Sequence, residues 1–147
     1  MSVQSISRDR RYGPATIVAS AIVAALVVPT VSQAAANPPA ALVKTRAAFA
    51  AAVKARDVGA VEALTSFPLK AAVHGQPPSV SRSAFPKFLK DNGYVELTEC
   101  LSSGPLAPSK TGKRVADVWR IECDGNIFYF ALENGAWRHS EYENINE

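Results

Sequence analysis

The sequence predicts an α+β domain, with N-terminal helices packed on a curved antiparallel sheet behind a cleaved signal peptide. Three observations carry this reading. The first 36 residues have a basic head, a short apolar middle and a small-residue exit. Helical spacing of apolar residues then persists to about Asn92, after which the pattern alternates. Finally, Asp124-Gly125 and Asn134-Gly135 separate apolar runs, the strongest short hairpin signals in the chain.

In the leader, Arg8, Arg10 and Arg11 precede an uncharged run of 14 residues from Ala15 to Val28, and Pro29 and Ser32-Gln33-Ala34-Ala35-Ala36 follow. A bilayer needs about 20 apolar residues, so this run does not span one and no stable membrane anchor is expected. The organisation is therefore residues 1–36 as signal peptide and 37–147 as a single domain, in a periplasmic or secreted protein. Arg10-Arg11 could also mark twin-arginine export, although Asp9 stands where that signal has Ser or Thr.

The leader also accounts for the charge. Three of the 16 basic residues and one of the 13 acidic ones lie in it, so 13 remain against 12, a net of +1. No basic stripe with interleaved aromatics is left, and nucleic acid is not an expected partner. Two cysteines, Cys100 and Cys123, in an oxidising compartment read as a disulfide, closing about 24 residues and contributing about 3 kcal/mol. The alternative is two buried thiols. Two cysteines and two histidines spread along the chain do not form metal-ligand spacing, so no metal and no cofactor is expected.

Along the domain, Ala40–Arg56 is alanine-rich, lacks Gly and Pro, and repeats Leu42, Phe49 and Val53 at helical spacing. Asp57 fits the N-cap of a short second helix, Val58–Thr65, ended by Ser66-Phe67-Pro68. Leu69–His74 reads as a strand and Gly75-Gln76-Pro77-Pro78 as a loop. Ser81 or Ser83 caps a third helix through Phe85, Phe88 and Leu89; Pro86 belongs in its first turn, which favours Ser83. Asn92-Gly93 stops it. Tyr94–Cys100 reads as a strand, Ser102–Gly112 as a loop, and Lys113–Cys123, Asn126–Glu133 and Ala136–Ile145 as a three-stranded meander.

Two-residue turns fix the register. Ile121 falls opposite Phe128, Trp119 opposite Phe130, Asp117 opposite Leu132, Leu132 opposite Trp137, Phe130 opposite His139 and Phe128 opposite Glu141. One face then carries the aromatics and the other Arg120, Glu122, Tyr129, Arg138 and Ser140. A shift of one residue would scramble this segregation.

This order of elements, with Phe67-Pro68-Leu69 after the second helix, Ser83-Ala84-Phe85 in the third and Gly135-Ala136-Trp137-Arg138 on the last strand, resembles the nuclear transport factor two-like superfamily, and its small exported members of unknown function in particular. The resemblance covers roughly Ala40 to Glu147. It implies a curved sheet wrapped around helices, often with a pocket at the open end. It also implies a family of isomerases, dehydratases and pure binding or dimerisation modules, so fold does not choose function. The Asp base and the Tyr and acid oxyanion donors of its isomerases do not map onto this sequence.

Other motifs fail on chemistry. Gly104 to Thr111 is one residue from a phosphate-binding loop, but two prolines remove donors and a strand follows. Lys110-Thr111-Gly112 matches a penicillin-binding motif without its Ser-x-x-Lys partner.

The register places Asp117, His139 and Glu141 on the aromatic face, beside Trp119, Phe130 and Trp137. Such titratable groups are rarely buried unless paired or functional. An apolar wall with a few convergent polar groups is the usual composition of a small-molecule site, and His139 would be its proton carrier. The plainer alternative, and the weightier, is that the last strand lies at the sheet edge and these groups reach water. The leading functional expectation is a non-enzymatic exported module that binds an unknown small molecule or a protein through the mouth of the cone. The alternatives are a small pocket enzyme, of isomerase or lyase type, and a structural homodimer.

Overall fold

The computed structural model describes residues 37–109 and 117–146. The expected signal peptide with its arginine pair, and the part of the expected strand from Lys113 to Ala116, lie outside the described residues.

Helix α1 (Ala40–Ala55) buries Leu42, Phe49, Ala50, Ala52 and Val53. Its end is a Schellman motif: the Arg56 N–H donates to the Val53 carbonyl and the Asp57 N–H to the Ala52 carbonyl, each at 3.0 Å. The motif puts Arg56 in the left-handed region, at φ 55°, a conformation that costs a side-chain-bearing residue about 1–2 kcal/mol. Asp57 then caps α2 (Val58–Ala63), its carboxylate accepting from the Ala60 N–H at 3.0 Å.

The third helix starts differently from the expectation. Ser81, not Ser83, is the cap: its hydroxyl accepts from the Ala84 N–H and opens a 3-10 turn, Arg82–Ala84, that runs into α3 (Phe85–Asp91). That turn lets the cap sit further upstream while Pro86 keeps its place in the first turn of α3.

The segment expected as a strand from Tyr94 to Cys100 is instead a turn followed by α4 (Thr98–Ser103). Its donors find local acceptors: the Leu97 N–H reaches the Tyr94 carbonyl and the Thr98 N–H the Val95 carbonyl. These bonds leave none for a sheet ladder, while Tyr94 and Leu101 are still buried. The Cys100–Cys123 disulfide is present and ties α4 to the end of a sheet strand, with Cα atoms 5.8 Å apart. Gly104 follows α4 where an added Cβ would stand 2.6 Å from the Cys100 carbonyl oxygen, so the close return of the chain requires glycine.

Six strands form one curved sheet, in the order β2 (Ser79–Val80), β1 (Thr65–Ala72), β6 (Ala136–Asn144), β5 (Asn126–Glu133), β4 (Val118–Cys123), β3 (Ala107–Pro108). The α+β class with helices on a curved sheet is as expected. The sheet is mixed rather than wholly antiparallel, because β1 runs parallel to β6. A parallel neighbour needs a long connection, and α3, α4 and the meander supply it between β1 and β6.

Both hairpin turns have positive φ at both central residues, Asp124 and Gly125 in one and Asn134 and Gly135 in the other. The expected pairs Ile121–Phe128, Trp119–Phe130, Leu132–Trp137 and Phe130–His139 are all present. Beyond His139 the register changes. A bulge between Tyr129 and Phe130 leaves one extra residue on β6, so Glu141 faces Tyr129 and Tyr142 takes the place opposite Phe128. The expected Phe128–Glu141 pair is therefore absent. Tyr142 enters the core, fully buried, against Phe88, Tyr94 and Phe128.

Candidate functional site

His139 is fully buried. Strand β6 holds its backbone, whose N–H donates to the Leu64 carbonyl at 2.8 Å. Around the imidazole lie the rings of Phe49 at 4.9 Å, Phe130 at 5.7 Å, Phe128 at 5.9 Å and Tyr94 at 6.0 Å. Its Nδ1 is 3.2 Å from the Tyr129 carbonyl oxygen. A carbonyl only accepts, so Nδ1 carries the proton and Nε2 is an acceptor. The Tyr94 hydroxyl, 3.1 Å from Nε2, is the donor to it.

Burial lowers the His139 pKa to about 4, with the bond to the Tyr129 carbonyl working in the opposite direction. Burial pushes the Tyr94 phenol well above its ordinary value, and the neighbouring Tyr142 adds to that. Both groups are neutral at pH 7, and each satisfies the other.

The structure brings four of the six expected site residues together. Trp119, Phe130, Trp137 and His139 are buried in the core, at 7% exposure or less. Trp119 faces Phe130 across β4 and β5, and Phe130 faces His139 across β5 and β6. Glu141 is not with them: the bulge pairs it with Tyr129 on the opposite face. Asp117 lies half-buried ahead of β4, outside the paired strand. The six therefore do not line one cavity; His139 and its rings fill the space that an open cone would leave.

One cavity lies on the helical side. A cleft of about 370 Å³ runs between the end of α1, the start of α2, α3 and the turn at residues 94–96. Its apolar lining comprises valines 53, 58, 61 and 95 with Pro86, Leu89 and Tyr94, and Arg56, Lys90 and Glu96 are its ionic groups. Tyr94 is shared: although almost fully buried it contributes to the cleft lining, and its hydroxyl holds His139. A larger groove of about 520 Å³ between α1 and α4 is lined by three alanines, Thr98, Ser102 and the charged Lys54 and Glu99. A third, of about 300 Å³, lies beside Trp137 and Arg138.

Sequence reasoning missed the cleft. Its two lining residues on α2, Val58 and Val61, read as ordinary helix positions, and only the helix ends at Asp57 and Asn92-Gly93 hint at a gap there. Among the described residues no cluster of three or more His, Cys, Asp or Glu side chains could hold a metal ion, and no helix is long and apolar enough to cross a membrane.

No family model matches the sequence, and no curated protein does. Among solved structures, the chain is similar to a nuclear transport factor two-like protein with a cystatin-like fold from Novosphingobium aromaticivorans, at 14% identity over 71% of this chain and 78% of that one, with a TM-score of 0.43. It is similar to a ketosteroid isomerase-like protein from Erwinia carotovora atroseptica, at 15% identity over 74% and 96%, with a TM-score of 0.43. A third is described as a putative scytalone dehydratase from Novosphingobium aromaticivorans, at 12% identity over 70% and 79%, with a TM-score of 0.40.

Proposed function

We propose that this protein is an exported binding module that takes a small molecule into the helical cleft, not into the interior of the curved sheet. The observation that carries the reading is the contrast between the two spaces. The sheet interior is closed by His139, Phe49, Phe128, Phe130 and Tyr142, all fully buried. The cleft beside it is lined mostly by apolar residues together with Arg56, Lys90 and Glu96, the composition that suits a small ligand. Both imidazole nitrogens of His139 are already engaged, which supports binding over proton transfer at that residue. The disulfide suits an oxidising compartment, and the apolar leader supplies the export signal.

A thermal-shift screen against a metabolite library tests the reading, run on the wild type and on Val58→Trp, whose indole would occupy the cleft. Hits that raise the wild-type Tm and leave the variant unmoved are the expected result. Hits that stabilise both equally would place the ligand elsewhere, and a light-scattering mass of two chains with no hits would favour the structural dimer. Fractionation of a Gram-negative host expressing the full chain, with the mass of the product, tests export; full-length protein in the cytoplasm would contradict it.

A further inference from the structure

We propose that the cleft selects a small monocarboxylic acid, a compact apolar body whose carboxylate is read by Arg56 and Lys90. This rests on the cleft being the ligand site, and it adds the chemical class. Two observations carry it.

The first is the separation of charge from apolar surface. Val58, Pro86, Leu89 and Val95 provide the accessible apolar contact, while two cations and one acid, Glu96, provide the ionic groups, for a net of +1. The ion pairs among the described residues lie elsewhere: Arg82 with Glu62, and Lys87 with Asp91. On α3, Lys87 is thus held by a carboxylate one turn on, whereas Lys90 stands at the cleft unpaired with Glu96. A single ligand carboxylate complements the two cations, and Glu96 would repel a second one.

The second is the backbone at Arg56. Three non-glycine residues have positive φ among the described residues: Arg56, Asp124 and Asn134. The latter two occupy hairpin turns that favour Asp and Asn. Arg56 occupies the position after a helix that glycine ordinarily takes. The Schellman bonds hold Arg56 in this conformation although glycine would adopt it without strain, and Arg56 is among the residues lining the cleft. The cleft volume, about 370 Å³, is at the small end for ligand sites and suits a body of one ring or a short branched chain.

The test is a titration of the purified protein, followed by NMR signals of the Val58 and Leu89 methyls, with two probes of one shape: 3-phenylpropanoate and its neutral counterpart 3-phenylpropan-1-ol. The acid should bind about tenfold more tightly than the alcohol. Arg56→Gly and Lys90→Gln should each weaken the acid by roughly three- to tenfold and leave the alcohol unchanged, the span expected of one exposed to partly buried charge contact. Arg56→Gly should also raise Tm, because glycine relieves the backbone; this separates lost binding from lost folding. If acid and alcohol bind alike, or if neither variant weakens the acid, the anion reading is overturned and the cleft remains a ligand site. If neither probe moves the cleft methyls in the millimolar range, both are overturned.

Discussion

The Tyr94 hydroxyl donates to Nε2 of His139 at 3.1 Å, and it is the only side-chain polar contact that the buried imidazole makes among the described residues. One residue comes from a turn after α3 and the other from β6, 45 positions apart. The bond therefore pins the helical layer to the sheet, between the cleft and the closed interior.

The pair fixes how stability responds to acid. The folded His139 pKa, about 4, lies below the ordinary 6.5. Between those values the unfolded chain binds a proton that the folded chain refuses, so the contribution is complete above pH 6.5 and is lost as the pH falls towards 4. Its steepest slope is about 1.4 kcal/mol per pH unit. Denaturant melts from pH 7 to 4 should show this slope in the wild type, and show it removed in the double variant Tyr94→Phe/His139→Phe.

The same two residues should be strongly non-additive. Tyr94→Phe alone leaves Nε2 without a donor, and His139→Phe alone leaves the phenol without an acceptor; each should cost about 1–3 kcal/mol. Replacing both removes both orphans, so the double variant should cost less than the sum of the singles. Equal additivity in urea melts would show that the bond contributes nothing to the fold.

Much of this arrangement was legible in the sequence, and the exceptions have physical reasons. Asp124-Gly125 and Asn134-Gly135 encode their turns locally, so the pairing from Trp119 through Phe130 to His139 followed from them. Nothing local announces the bulge that moves Glu141 outward and Tyr142 inward, because a bulge depends on how β6 fits its neighbours. The parallel pairing of β1 with β6 is equally non-local. Tyr94, Val95 and Leu97 alternate well enough to pass for a strand, yet their backbone bonds close within the segment. The face of His139 was legible, but the weightier expectation put its strand at the sheet edge and the side chain in water, whereas β6 lies between β1 and β5 and the imidazole is fully buried; its partner Tyr94 could not be foreseen, since that residue was expected in a strand. The cleft arises where the ends of three helices meet, which no periodicity records.

The bulge has a simple mutational signature. Glu141→Ala should change stability by no more than about 0.5 kcal/mol, since its side chain leaves the core. Tyr142→Ala removes a buried ring and a hydroxyl that donates to Asn126 Oδ1 at 2.5 Å, and should cost about 3–5 kcal/mol. The reverse order, measured by chemical denaturation, would restore the unbulged register.

The disulfide closes a separation of 23 residues, and Cys100→Ala/Cys123→Ala should cost about 3 kcal/mol, mainly through the unfolded chain. Adding a reductant to the wild type should lower its Tm to near that of the variant. A wild-type Tm unchanged by full reduction, with free thiols confirmed by alkylation, would contradict this.

The account stands or falls on where a ligand sits. A crystal of the protein soaked with small apolar carboxylates should show density in the cleft walled by Val53, Val58, Leu89 and Tyr94, beside Arg56 and Lys90, with the Tyr94–His139 bond intact. Density that displaces the rings around His139, or that occupies the groove between α1 and α4 and leaves the cleft empty, would contradict it.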